Sequence, residues 1–158
     1  MNERLRNEKT TINVRQKANL IWSIADIIGQ GLYKPHEYGK VILPMTVIKR
    51  FNDCLEPTKD EVMDVYEKVK HLEVKDGFLE DASGYQFYNT SPYTFRTLLN
   101  DSEHIEENFR TFLAGFSDNV QDILENFDFD KEITKLANNN MLFLIIQKFN
   151  KKEAYMGP

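Results

Sequence analysis

The chain has 158 residues, 41% of them apolar and 28% charged, with a formal net charge of −5 at pH 7. That describes one ordinary globular domain with enough length to bury a core. No window approaches the roughly 18 uninterrupted apolar residues of a membrane span, and the mixed-charge start Met1–Lys9 lacks the apolar stretch of a secretory signal. A lone Cys54 excludes an internal disulfide framework, fits a reducing, cytoplasmic setting, and reads as a small packed hydrophobe.

The charge is unevenly spread. Residues 1–50 carry nine Lys/Arg against four Asp/Glu, a local +5. Residues 51–130 carry six against nineteen, a local −13, and residues 131–158 five against two, a local +3. An acidic middle disfavours phosphate backbones, whereas the N-terminal third permits such contact without establishing it.

In chain order, residues 1–12 are polar and aperiodic and read as a flexible arm. Asn13 is a candidate N-cap for a first helix, in which Leu20, Ile24, Ile27 and Ile28 form one stripe. Trp22 lies off that stripe and reads as covering a second helix. Gly29 and Gly31 offer stopping points, and Pro35 suits the first turn of the next helix. Val47, Ile48, Phe51, Cys54 and Leu55 make a buried face, with Lys49 and Arg50 pointing away from it and Pro44 predicting a kink or restart.

Thr58 to Glu61 forms a capping-box pattern ahead of the stripe Val62, Val65, Tyr66, Val69 and Leu72. Asp76-Gly77 reads as a turn, and residues 81–90 as a short irregular or β-like segment. Ser91-Pro92 predicts a short helix running to Leu99. Three more helices follow, started by Asp101 or Ser102, by Ser117 or Asp118, and near Asp130. The apolar run Met141–Ile146 predicts a last, deeply buried helix. The fold class is therefore mainly α, a bundle of about six to eight helices over residues 13–150, followed by a linker at 151–158.

Chemical motifs are absent or incomplete. His36-Glu37 begins like a zinc-protease helix, but residue 40 is Lys where a second His is required. His104-Ile105-Glu106 has no Cys-x-x-Cys to complete a deaminase zinc shell. Gly29-Gln30-Gly31 is too short for a dinucleotide fingerprint. No catalytic, cofactor-binding or metal-binding residue is assigned.

Several segments together resemble the N-terminal region of the modification (M) subunit of type I restriction–modification systems. They are Leu20-Ile21-Trp22, Ala25-Asp26-Ile27-Ile28, Lys34-Pro35-His36-Glu37-Tyr38, Val41-Ile42-Leu43-Pro44 and Leu55-Glu56-Pro57-Thr58-Lys59. Tyr88-Asn89-Thr90-Ser91, Phe127–Lys131 and Asn140–Phe149 extend the similarity over roughly residues 13–150. The resemblance implies a helical domain that precedes a catalytic domain transferring methyl from S-adenosylmethionine to adenine N6 in DNA. It also implies assembly with a specificity subunit, a second M subunit and a restriction subunit around duplex DNA. Ser91-Pro92-Tyr93 lacks the Asn and second Pro of the Asn-Pro-Pro-Tyr/Phe loop of such enzymes, so the catalytic and cofactor motifs are expected outside this chain.

The residues expected to contact DNA or a partner are Lys34, His36, Lys40, Lys49 and Arg50. Two alternatives stay open. One is a protein–protein module docking through an exposed aromatic patch such as Tyr85, Phe87, Tyr88 and Tyr93. The other is an unrelated regulatory helical bundle.

Overall fold

A computed structural model describes the backbone of residues 3–158 and the side chains of 3–6 and 13–158. Nine α-helices occur among these residues, with no strand. They are α1 (Glu3–Ile28), α2 (Gly39–Leu55), α3 (Lys59–Val69), α4 (Asp76–Ser83), α5 (Phe95–Leu98), α6 (Ile105–Ala114), α7 (Asp118–Asn126), α8 (Asp130–Asn138) and α9 (Leu142–Phe149). Short 3₁₀ turns lie at Pro35–Glu37, Glu56–Thr58 and Lys152–Ala154.

α1 begins at Glu3, ahead of the start that Asn13 predicts. Glu3, Arg4, Leu5 and Arg6 are exposed, and Glu, Arg and Leu are good helix formers, so propensity and not burial carries this first turn. α2 runs through Pro44 as one helix, without a restart. Asp76-Gly77 opens α4 instead of turning the chain, and Gly84 ends that helix in the left-handed region at φ 82°. Ser91-Pro92 does not start a helix. Thr94 caps α5, where its backbone N–H donates to Thr97 Oγ1 at 2.8 Å and its own Oγ1 accepts from Thr97 N at 3.2 Å. Asp128 and Asn140 follow α7 and α8 at φ 51° and 58°, which their short polar side chains tolerate.

The main core joins α1, α2 and α5–α9, with Phe95, Phe109, Phe112 and Phe149 at its centre. A smaller cluster of Val62, Val69, Leu79 and Tyr88 ties α3 to α4. Between them, the segment read as β-like makes a single antiparallel bridge from Asn89 to Phe116. Thr90 N donates to Gly115 O at 2.8 Å and Ser117 N to Tyr88 O at 3.0 Å. A Cβ on Gly115 would lie 2.6 Å from Ser91 N, so this close approach requires glycine. In α9, Leu142, Ile145, Ile146 and Phe149 face inward while Leu144 stays exposed, so the run is not buried all round.

Candidate functional site

The expected contact residues divide into two places. Lys34, His36 and Lys40 are exposed around the 3₁₀ turn that precedes α2. Tyr33 anchors this turn in the core, and its hydroxyl donates to Glu132 Oε1 of α8 at 2.9 Å. Burial, together with that bond, pushes the Tyr33 hydroxyl well above its ordinary range. Lys135 of α8 sits with its Nζ 4.0 Å from the centre of the Tyr33 ring. Glu37 accepts from Lys34 N at 3.1 Å and lies 3.5 Å from Lys40 Nζ. The Lys34 backbone N–H holds the Glu37 carboxyl below its usual range, helped by the charges of Lys40, Lys135 and His36. Lys34, His36, Lys40 and Lys135 therefore share one surface, which Glu37 partly neutralises. Lys135 joins it through the docking of α8 on the turn, a long-range contact with no local sequence signal.

Lys49 and Arg50 do not belong to this surface. Lys49 lies nine residues beyond Lys40, about 13.5 Å along the helix and half a turn around it. It is buried, with Nζ 2.7 and 2.5 Å from the two carboxylate oxygens of Asp53. Arg50 donates to the carbonyl of Met156. Its neighbours explain this correction: the segment expected to be a linker packs back on α1 and α2. Met156 N donates to Asp53 Oδ2 at 2.8 Å, Lys17 Nζ donates to the carbonyls of Glu153 at 2.8 Å and Tyr155 at 2.6 Å, and Ala154 is fully buried. The apolar Ala154 and Met156 among the polar tail residues were its one signal in sequence.

The aromatic patch proposed for docking is not an exposed one: Tyr88 is buried, and Tyr85, Phe87 and Tyr93 are half-buried against the core. Tyr88 donates to Asp76, Phe87 packs 4.9 Å from the Phe51 ring, Tyr85 packs 5.0 Å from Phe87, and the Tyr93 hydroxyl donates to Asn108 at 3.0 Å. The exposed apolar surface lies on α1 instead. Val14, Ala18, Ile21 and Trp22 follow i, i+4, i+7, i+8 spacing on a flank about a quarter-turn round from Leu20, Ile24 and Ile28, and Trp22 is 69% exposed. No helix among the described residues covers Trp22.

Lys59 is a further cation that sequence reasoning passed over. Its Nζ donates to Asn89 O and Oδ1, both at 3.2 Å, and burial pushes its pKa down to about 8. Because this folded-state value lies below that of the unfolded chain, folding is penalised while Lys59 must carry a proton. Stability is expected to rise between pH 8 and 10.5 as that penalty disappears. Urea midpoints across this range should show the rise, and Lys59→Met should remove it.

No group of three or more His, Cys, Asp and Glu close enough to hold a metal occurs among the described residues, and no described helix is long and apolar enough to cross a membrane. The family model of the HsdM N-terminal domain matches residues 17–149. The chain belongs to this family. The match runs from the inner half of α1 to the end of α9, so the whole bundle is the HsdM N-terminal domain of a type I restriction–modification system. No curated protein and no solved structure gives a match.

Proposed function

We propose that this HsdM N-terminal domain helps close a type I modification subunit around duplex DNA. In this reading the parent subunit transfers a methyl group from S-adenosylmethionine to adenine N6, in a complex with a specificity subunit, a second M subunit and a restriction subunit. The supporting observation is the shared surface of exposed Lys34, His36 and Lys40 with the half-buried Lys135 beside them, on a bundle of this family. Exposed lysines near a phosphate backbone release counterions on binding, which gives salt-dependent affinity without sequence readout. In the full subunit, Lys34→Ala, Lys40→Ala and Lys135→Ala combined should weaken duplex binding and flatten its salt slope by about 1 per lysine. An unchanged slope would remove these residues from the DNA interface.

The α1 stripe of Val14, Ile21 and Trp22 favours a second role in docking another subunit of the complex. Trp22→Ala should leave the unfolding midpoint of the domain within about 0.5 kcal/mol of the parent, because the indole is exposed. Co-purification of the specificity subunit or second M subunit should fall at least tenfold if the indole is an interface anchor, a loss of about 1.4 kcal/mol.

A further inference from the structure

The packed C-terminal segment closes one side of a groove that the cationic turn does not touch. The groove has a volume of about 200 Å³ and is lined by Gln16, Asn19 and Ser23 of α1, Lys148 of α9, and Lys151 and Glu153 of the segment. Neither the Lys148 nor the Lys151 ammonium has a hydrogen-bond or ion-pair partner among the described residues, although Lys151 N donates to Lys148 O at 3.3 Å. A third cation stands at its edge, since Lys17 Nζ bridges the carbonyls of Glu153 and Tyr155. Burial, and after it the nearby Lys49 charge, pushes Lys17 below its ordinary range, with Asp53 opposing them. Against these three cations the lining holds one carboxylate, that of Glu153.

The groove is smaller than the roughly 300–1,000 Å³ sites that enclose whole organic ligands. Its lysines and side-chain amides are donors suited to a single tetrahedral oxyanion. Lys152 lies exposed beside Lys151, so a continuous polyanion would neutralise neighbouring charges together and release their counterions, which a free anion would not. We propose that this groove between α1, α9 and the C-terminal segment seats a backbone phosphate of duplex DNA, as a contact separate from Lys34, Lys40 and Lys135. The inference rests on the nucleic-acid reading above. It adds a site built partly from residues 151–153, beyond the segment that the family match covers.

The test is an anisotropy titration of a labelled duplex by the full subunit at 50–200 mM salt. Lys148→Gln with Lys151→Gln should lower the salt slope by about 1, the share of one phosphate, so the loss of affinity over this range shrinks about 3.5-fold. Lys68→Gln with Lys70→Gln, on exposed positions at the end of α3, should leave the slope unchanged. An unchanged slope in the groove variant, while the Lys34, Lys40 and Lys135 variant loses slope, overturns the groove and keeps the DNA reading. Equal losses in the groove and α3 variants also overturn it, since net charge alone would then explain the effect. If neither the groove variant nor the turn variant changes the slope, both readings fall.

Discussion

Replacing Asp53 with alanine is expected to destabilise the domain by about 3–5 kcal/mol and to free the C-terminal segment. Asp53 is 3% exposed and accepts from Lys49 Nζ, from Asn52 Nδ2 at 2.9 Å and from Met156 N at 2.8 Å. Without it, the Lys49 ammonium, 5% exposed, stays in the interior with no counter-charge. Urea unfolding checks the loss, and hydrogen exchange at Met156 checks the release. Lys49→Met combined with Asp53→Leu should recover most of the stability, because it removes both buried charges. It should not restore protection of Met156, whose acceptor is still missing. A single variant within 1 kcal/mol of the parent would mean that water reaches Lys49 and the pair is not a buried one.

Phe95→Ala is expected to cost about 3–5 kcal/mol as well, by a different route. Phe95 is fully buried, with ring centres 6.2 Å from Phe109, 5.8 Å from Phe112 and 6.3 Å from Phe149, all near edge-to-face. Its backbone is held on both sides, by N–H donation to Asn52 Oδ1 at 3.0 Å and by Asn150 Nδ2 donating to its carbonyl at 2.9 Å. Truncation therefore leaves a cavity that the backbone cannot close by shifting. Leu144→Ala, on the exposed side of α9, should stay within about 0.5 kcal/mol. Thermal unfolding of the two variants side by side separates a packed aromatic centre from general loss of apolar area.

Much of the helical plan was legible because buried stripes repeat at 3.6 residues. Val62, Val65, Tyr66 and Val69 on α3 and Phe109 and Phe112 on α6 face the cores that their spacing predicts. Helix starts were less legible. Thr58 sits at the N-cap of α3, but its hydroxyl donates to Leu55 O and Ser83 O and makes no cap bond. A Ser or Thr hydroxyl meets whichever backbone group tertiary packing presents. Asp76-Gly77 likewise has turn composition, yet Leu79 is fully buried beneath α3 and that contact carries the helix back to Asp76.

The candidate site shows the same division. Lys34, His36 and Lys40 stand exposed around the turn at Pro35–Glu37, but the sequence grouped them with Lys49 and Arg50 as one set. The two could not be told apart there, because a cation on a helix shows its charge in the sequence but not what packs over it. The overlay is residues 151–156, about 100 residues away along the chain.

Sequence alone determined the family, the mainly helical class and the surplus of cations at both ends of the chain. These depend on local pattern and composition, which any segment carries by itself. Only the tertiary structure decided which cations face solvent together, that Tyr85, Phe87, Tyr88 and Tyr93 pack inward, and that the C-terminal segment is part of the domain. Each of those depends on desolvation, and a side chain is desolvated by whatever distant segment lands on it.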